Sequence, residues 1–186
     1  MKRKRLNLGW LLTLVVMALV LFTPLGFHMQ VWVNRILSHN PEPVATRTLE
    51  IPELNGWRLK GLKGDIIHGD ELQGQVVLIN FWASWCPPCV AEMPSLDKLH
   101  EEFGDRVRFL FIARDQKDKV VGYLEKNNFR FPVYFESGLT PTGIYATGLP
   151  TTFVLDRAGR IVVAHTGAAN WYAEDTRKLL DSLLTN

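Results

Sequence analysis

Two cysteines, the only ones in the sequence, lie at Cys86 and Cys89 with two prolines between them. A pair at this spacing can exchange electrons with another disulfide, because one thiolate attacks a foreign sulfur and the second thiol resolves the mixed disulfide. A purely structural disulfide is the alternative, but a bridge over so few residues closes a small loop and removes little entropy from the unfolded chain. The spacing therefore favours redox chemistry.

The helix expected to begin at this pair indicates which sulfur reacts. Pro87 follows Cys86 directly, and the fixed φ of proline suits the first turn of a helix. At a helix N-terminus the unpaired backbone N–H groups and the positive end of the helix dipole favour a thiolate. We therefore predict that Cys86 is the nucleophile and that Cys89, further into the helix, is the more buried resolving thiol.

Glu92 is a candidate for proton transfer. It follows Cys89 by three positions, which on a helix places the two residues on one face. A carboxyl group close to a buried thiol can take up its proton and return it. An ordinary solvated glutamate on the helix surface fits the same spacing, so both interpretations stay open.

A further proline lies far along the chain, where Leu149 and Pro150 precede the apolar run of residues 151–153. A proline at the entry to a strand cannot donate to the sheet and indicates a tight turn. The residues leave the isomer open, because only about 5–6% of X–Pro bonds in folded proteins are cis. Five side chains are predicted to frame the dithiol: Trp82, Trp85, Pro87, Pro88 and Leu149.

Hydrophobic patterning and turn residues place these groups on an α/β framework. Predicted strands cover residues 57–60, 65–68, 75–82, 106–113, 131–135, 151–155 and 161–165. Predicted helices cover residues 86–103, 118–127 and 172–184, with a short helical turn at 142–146. A helical crossover implies parallel strands and a hairpin implies antiparallel ones, so we expect a mixed central sheet with helices on both faces and an N-terminal β-hairpin.

The N-terminal segment predicts a membrane anchor. Residues 2–5 are all basic, and no further charged residue follows until Arg35. The apolar run that starts at Leu8 reaches the about 20 residues needed to cross a bilayer if its helix continues to Val33. The basic cluster should stay in the cytoplasm, so residues 1–33 predict a single-pass anchor of the cytoplasmic (inner) membrane with the remaining chain in the periplasm or extracytoplasmic space.

A cleaved signal peptide shares the basic start and the apolar centre. Residues 23–30, however, lack the small residues at alternate positions that precede a cleavage site. An uncleaved signal-anchor is therefore favoured. Residues 34–53 are polar, contain three prolines and predict a tether, and residues 54–186 predict the globular domain.

Charge and composition argue against other classes of function. Lys and Arg number 21 against 19 Asp and Glu, and four of the basic residues lie in the N-terminal cluster. The remaining chain has no basic stripe of the kind that binds nucleic acid, and its five His are scattered without metal-site spacing. The two thiolates could hold Cu(I), so a copper-binding module is the alternative function, although the four Met residues do not cluster.

Three runs together carry a family resemblance: residues 77–89, residues 92–94 and residues 148–153. In this order and at this separation they resemble the thioredoxin superfamily, and more narrowly its membrane-anchored TlpA/ResA-like branch. The resemblance covers residues 54–184. It implies a thioredoxin fold for the whole domain.

The resemblance also implies roles for individual residues. Cys86 would be the nucleophile, Cys89 the resolving cysteine, and Pro150 a cis proline packed beside the dithiol. Glu92 falls where ResA-like proteins have their active-site glutamate. Cytoplasmic thioredoxins carry a buried aspartate at the position of Asn80, whose amide cannot titrate, so proton handling is expected to depend on Glu92.

The function implied by the resemblance is a membrane-anchored protein-disulfide reductase whose redox-active group is the Cys86–Cys89 disulfide, with no other cofactor. The space outside the cytoplasmic membrane is oxidising, so the dithiol needs a membrane electron donor of the DsbD or CcdA kind. The expected substrates are disulfide-containing proteins, among them apocytochrome c or stress-damaged proteins, including copper-tolerance settings.

Two narrower assignments are not favoured. The cytochrome-maturation branch called CcmG/DsbE often has Pro-Glu-Thr-Phe after its cis proline, whereas this chain has Pro-Thr-Thr-Phe at residues 150–153. A peroxidase would need a different reactive-cysteine loop, which the sequence does not contain.

Overall fold

The chain forms two N-terminal helices followed by an α/β domain. A computed structural model of the protein describes residues 8–22, 24–38, 41, 54, 56–138 and 140–185. The helices are α1 (Leu8–Phe22), α2 (Pro24–Leu37), α3 (Pro87–Phe103), α4 (Lys117–Asn127) and α5 (Glu174–Thr185). The strands are β1 (Arg58–Gly61), β2 (Ile66–His68), β3 (Val77–Trp82), β4 (Arg108–Ala113), β5 (Val133–Glu136), β6 (Thr151–Leu155) and β7 (Ile161–Thr166). Short 3-10 turns cover Gly69–Leu72 and Thr142–Ile144.

The strands form one seven-stranded sheet in the order β2-β1-β5-β4-β3-β6-β7. β3 pairs in parallel with β4, and β4 with β5, whereas β6 runs antiparallel to β3 and to β7. The predicted hairpin is present as β1 and β2, and β1 continues the sheet by pairing antiparallel with β5. The prediction of a mixed sheet is therefore confirmed.

Apolar side chains of the central strands alternate between two buried clusters on opposite faces of the sheet. In β3, Leu78 and Trp82 join one cluster, and Ile79 and Phe81 join the other. The first cluster also contains most of the buried apolar side chains of α3, α4 and α5. The second is completed by the β1–β2 hairpin and by both 3-10 turns.

The expectation of helices on both faces of the sheet is therefore wrong for the described part of the domain. α3 joins β3 to β4 and α4 joins β4 to β5, so both crossovers step in the same direction along the sheet. Because parallel crossovers are right-handed, both helices must lie on the same face. The dithiol at the start of α3 consequently belongs to the helical face.

The single anchor helix predicted over residues 8–33 is replaced by two helices. The segments Gly9–Leu19 and Pro24–Leu37 are bent by 71° relative to each other. Pro24 begins α2, because proline is accommodated in the first turn of a helix but breaks a helix interior. Neither helix is by itself long and apolar enough to cross a membrane, although the bent pair together has sufficient length and composition.

α2 continues beyond the predicted anchor and packs against α3. Residues 34–37, predicted as the start of the tether, are helical. Most of the remaining tether, residues 39–40 and 42–53, and the basic cluster of residues 2–5 lie outside the described residues.

Candidate active site

The two cysteines lie where β3 leads into α3. Cys86 is the N-cap residue of α3 and Pro87 is its first residue, so proline occupies a position at which the helix needs no N–H donor. The Sγ atom of Cys86 accepts a hydrogen bond from the backbone N–H of Cys89 at 3.3 Å. The two sulfurs form a disulfide, so the structure shows the oxidised state of the pair.

Both cysteines are almost fully enclosed, but not to the same extent. Cys86 retains 3% of its accessible surface and Cys89 retains 0%. Attack on a foreign disulfide requires access to one sulfur only. This order is compatible with Cys86 as nucleophile and Cys89 as resolving thiol, and the two roles remain predictions.

The two tryptophans predicted to frame the site have different environments. Trp85 is 59% exposed directly before Cys86, so its ring offers apolar surface beside the dithiol. Trp82 is fully buried, and its ring centroid lies 5.4 Å from that of Tyr123 and 6.3 Å from that of Phe131. The other predicted framing residues are half-buried: Pro87, Pro88 and Leu149.

Asp115, directly beyond β4, holds the loop that precedes Cys86. Its Oδ2 atom accepts hydrogen bonds from the backbone N–H of Ser84 at 3.0 Å and from the Ser84 hydroxyl at 2.5 Å. In addition, the backbone N–H of Arg114 donates to the carbonyl of Trp82 at 2.8 Å. Short-range sequence patterns do not reveal this contact, because parallel pairing of β3 and β4 brings together residues that are 31 positions apart.

Pro150 lies at the same edge of the sheet as the dithiol. The Leu149–Pro150 peptide bond is cis, as the resemblance implied. β6 runs antiparallel to β3 with Thr151 opposite Phe81, so the start of β6 meets the end of β3. The structure thus brings together the C-x-x-C segment and the proline that sequence analysis placed beside it.

Glu92 is buried, with 1% of its surface accessible. Its Oε1 atom accepts a hydrogen bond from Asn80 Nδ2 at 2.8 Å. Its Oε2 atom accepts from Trp171 Nε1 at 2.9 Å and from the backbone N–H of Ala169 at 3.3 Å. The alternative of a solvated surface glutamate is therefore excluded.

Burial dominates the electrostatics of Glu92. Loss of hydration raises the pKa of this carboxyl group to about 8, although the hydrogen bonds from Trp171, Asn80 and Ala169 act in the opposite direction. A carboxyl group that titrates near neutral pH can hold a proton in one step and release it in the next. Glu92 therefore has the electrostatic properties expected of a proton-transfer group.

Two residues beside Glu92 have contacts that sequence reasoning did not find. Asn80 Nδ2 also donates to Thr152 Oγ1 at 2.8 Å, so this amide joins β3, α3 and β6. Trp171 is fully buried, and its indole N–H donates a hydrogen bond to Glu92. The one available signal was a polar Asn80 inside an apolar strand, since buried polar groups require partners.

The structure provides few ligands for a metal. Among the described residues no group of three or more His, Cys, Asp or Glu side chains converges. The copper alternative would have to use Cys86 and Cys89 alone, and only after reduction, because thiolates are the metal ligands.

Comparison with known proteins decides the family. A model described as the AhpC/TSA family matches residues 51–164 of the chain. The chain belongs to this family. The match covers most of the sheet and all of α3, so it includes the segment that carries the dithiol.

Two curated relatives of this AhpC/TSA-family chain are named thiol-disulfide oxidoreductase ResA. The protein from Halalkalibacterium halodurans is 34% identical over 112 residues, which are 59% of this chain and 64% of the relative. The protein from Bacillus thuringiensis is 32% identical over 126 residues, which are 66% of this chain and 69% of the relative. The chain thus spans 64% of the first relative's length, slightly under two thirds, and 69% of the second's.

A solved structure gives the same indication. A thiol:disulfide interchange protein of the thioredoxin family from Chlorobium tepidum superimposes with a TM-score of 0.58 at 26% identity, covering 75% of this chain and 99% of its own. The predicted thioredoxin-like fold, the resemblance to ResA-like proteins and the class of thiol–disulfide oxidoreductase are therefore confirmed for the AhpC/TSA domain.

Proposed function

We propose that this protein is a membrane-tethered reductase that passes electrons from a membrane donor to disulfides of selected proteins outside the cytoplasm. One observation carries the proposal. The Cys86–Cys89 pair lies at a helix start beside cis Pro150, and Glu92 of the same helix is buried with a pKa of about 8. A structural cross-link or a metal clamp would have no use for such a carboxyl group.

The proposed reaction moves two electrons and two protons from the reduced pair to a substrate disulfide. The Cys86 thiolate attacks one substrate sulfur, forms a mixed disulfide and expels the other sulfur as a thiolate. Cys89 then loses its proton and attacks Cys86 Sγ, which expels the second substrate thiolate. The protons lost by Cys86 and Cys89 balance those taken up by the two product thiols, and the chain is left in the disulfide state of this structure.

Glu92 would act in the second step. Cys89 is buried and therefore needs a nearby base to lose its proton, and Glu92 follows it by one helical turn on the same face. When the disulfide is reduced again, the same carboxyl group would return the proton. A pKa near neutral pH suits both directions.

The membrane tether is supported by the N-terminal segment. Residues 2–5 are basic, which favours retention of the N-terminus in the cytoplasm. In α1 and α2 large apolar side chains are exposed, with Trp10 at 64% and Trp32 at 63%. Tryptophans at the two ends of an apolar segment suit the two interfaces of a membrane. We propose the periplasm or an equivalent extracytoplasmic space as the location of the domain.

The partners follow from the compartment. An oxidising space would leave the pair as a disulfide, so continued reduction requires an electron donor of the DsbD or CcdA kind. Apocytochrome c or stress-damaged proteins, including those of copper-tolerance settings, are proposed substrates. The names of the relatives, thiol-disulfide oxidoreductase ResA, support the thiol–disulfide exchange on which this proposal depends.

The full chain in detergent provides the first test. The protein is reduced, separated from the reductant and mixed with a disulfide-containing protein, and the thiols of both are counted. We expect one substrate disulfide to be reduced for each Cys86–Cys89 disulfide formed, and no reaction with Cys86→Ala. Binding of Cu(I) by the reduced chain without any thiol transfer would instead support the copper-binding alternative.

A further inference from the structure

Asn80 connects the candidate proton-transfer group to the strand that carries Pro150. It is fully buried in β3, opposite Thr152 in the register of β3 and β6. Its Nδ2 atom donates to Glu92 Oε1 and to Thr152 Oγ1, each at 2.8 Å. Both hydrogens of the amide are therefore used, one on each side.

The hydrogen bonds around Glu92 have the directions expected for an ionised carboxyl group, which only accepts. Each hydrogen bond at Glu92 is donated to it, by Asn80, Trp171 and the backbone of Ala169. The Oδ1 atom of Asn80 is buried and has no hydrogen-bond partner among the described residues. One acceptor is thus left over next to a carboxylate that has only donors around it.

A protonated Glu92 would need an acceptor for its own O–H. At Oε2 the neighbours are N–H groups of Trp171 and Ala169, which cannot accept. At Oε1 the neighbour is Asn80, whose amide presents an acceptor if it rotates by half a turn about its last side-chain bond. In that orientation Asn80 Oδ1 can also accept the hydroxyl hydrogen of Thr152.

We propose that Asn80 is a positioning residue that transmits the protonation state of Glu92 to Thr152 by reversing its amide. With Glu92 ionised, Nδ2 faces both partners, and the Thr152 hydroxyl accepts. With Glu92 protonated on Oε1, Oδ1 faces both partners, and the Thr152 hydroxyl donates. Trp171 contributes by occupying Oε2, which directs the proton to the oxygen that faces Asn80.

The consequence concerns the strand that carries Pro150. Thr152 lies in β6 beside Thr151, which follows Pro150 directly. Each proton that Glu92 takes up from Cys89 would therefore change a hydrogen bond close to the proline beside the dithiol. This consequence rests on the proposed function. The amide reversal itself is measurable in the oxidised protein, where no thiol titrates, so either claim can fail without the other.

Other titratable or charged groups border the same region, and their responses to pH must be distinguished from that of Glu92. From β7, the His165 ring lies 6.0 Å from the Trp171 ring between centroids. From α2 and α3, Arg35 and Lys98 line the groove beside Ala169. Of these groups, histidine has an ordinary pKa close enough to neutral pH to imitate a response of Glu92. A Glu92→Gln variant distinguishes the two, because it removes the carboxyl group and leaves His165 in place.

The test uses the full oxidised chain in micelles, with labelled Asn amides and Thr methyl groups. Above the titration midpoint of Glu92 we expect a nuclear Overhauser contact between the Asn80 amide hydrogens and the Thr152 methyl group, and below it we expect this contact to be lost. In Glu92→Gln the amide of residue 92 donates as the protonated acid does, so the contact should be absent at every pH. A contact that is unchanged across the midpoint would overturn the proposal.

Infrared titration of the protonated carboxyl group gives a second readout with matched controls. Thr152→Val removes a hydrogen bond of Asn80 in both states. In the protonated state Oδ1 keeps the Glu92 hydroxyl as a partner, whereas in the ionised state a buried amide hydrogen loses its only partner, so the midpoint should move upward. Trp171→Phe removes a donor to the ionised carboxylate and should also move the midpoint upward.

The controls are Thr176→Val and Trp57→Phe. They remove a hydroxyl and an indole N–H that are buried but have no hydrogen-bond partner among the described residues. Both controls should leave the midpoint unchanged. A midpoint that moves with the controls as much as with Thr152→Val and Trp171→Phe would show that packing alone sets it, and would contradict the assigned role.

Discussion

Glu92 is a carboxyl group that is fully enclosed by protein and held by donors from three directions: a strand, a loop backbone and an indole ring. Removal from water disfavours its charge, whereas each donor favours that charge. Burial is the larger effect, so the pKa rises to about 8. The same imbalance makes the stability of the fold depend on pH.

We expect the free energy of unfolding to depend less on pH in Glu92→Gln than in the unsubstituted chain. Because the pKa rises from 4.5 to about 8 on folding, the native state binds the proton more tightly, and stability decreases as pH rises between these values. A tenfold difference in proton affinity between the folded and unfolded states corresponds to about 1.4 kcal/mol. The free energy of unfolding of the oxidised chain should therefore fall from pH 5 to pH 9, and should fall much less in the variant.

The control for this prediction is Glu101→Gln, which changes an exposed glutamate of the same helix. It should retain the decrease in stability seen in the unsubstituted chain. Equal pH dependence of Glu92→Gln and the unsubstituted chain would contradict the account of Glu92.

The residues of the site could be predicted from the sequence, but the hydrogen bonds that position them could not. The spacing of Cys86, Cys89 and Glu92 within one helix is local, so a helical period is enough to place them. Trp171 and Thr152 approach Glu92 and Asn80 through contacts between residues 79 and 72 positions apart. Such contacts depend on the pairing of whole strands and on the loop after β7, which short-range patterns do not specify.

At the scale of elements, the site depends on three supports for the start of α3. β3 leads the chain to Cys86, β6 brings Pro150 to the same edge, and Asp115 holds the intervening loop from the end of β4. A hydrogen bond to a charged group contributes about 1.5–3 kcal/mol. The contact between Ser84 and Asp115 is only partly buried, so the lower end of this range applies.

We expect Asp115→Ala to loosen the loop before Cys86 while leaving the sheet intact. The variant should lose about 1–2 kcal/mol of stability. Alkylation of the reduced Cys86 should become faster, because the loop no longer restricts access to the sulfur. The measurements are denaturant unfolding and the rate of thiol modification at a fixed pH.

Asp105→Ala is the control, since it removes an exposed aspartate just beyond the other end of α3. It should change the rate of Cys86 modification little. An equally small change in Asp115→Ala would show that the loop does not depend on Asp115.

The elements themselves were largely predictable. β6 was predicted with its observed bounds, and the helix that carries the cysteines was predicted within a residue, because apolar runs and the cysteine–proline junction mark their ends. The faces occupied by the helices were predicted incorrectly. That error reflects topology, since only the strand order shows that both parallel crossovers step in one direction.

In the whole molecule, two N-terminal helices that are bent by 71° relative to each other accompany the redox domain. α2 packs against α3, so the N-terminal helices contact the element that carries the dithiol. Exposed apolar side chains on α1 and α2 would be poorly solvated in water and suit lipid. The bend is explained by Pro24, which begins a new helix, and not by hydropathy, because an apolar run gives length but not direction.

We expect the protein to remain with membranes after a carbonate wash, because its apolar N-terminal segment would be held by lipid. As a matched comparison, Leu14→Lys combined with Val15→Lys introduces charge at exposed positions of α1 and should reduce retention without disturbing the domain. Fractions are compared by immunoblot. Release of the unsubstituted protein as a shortened soluble form would contradict the anchor and support a cleaved signal peptide.

We propose that Cys86 attacks disulfides of protein substrates and that Cys89 resolves the mixed disulfide. To trap the partners, Cys89→Ser and Cys86→Ser are expressed separately in the native membrane, and the proteins linked to each by a disulfide are identified under non-reducing conditions. We expect Cys89→Ser to accumulate mixed disulfides with a limited set of extracytoplasmic proteins and with a membrane electron donor, and Cys86→Ser to accumulate none. Equal trapping by both variants, or no trapping by Cys89→Ser, would contradict it.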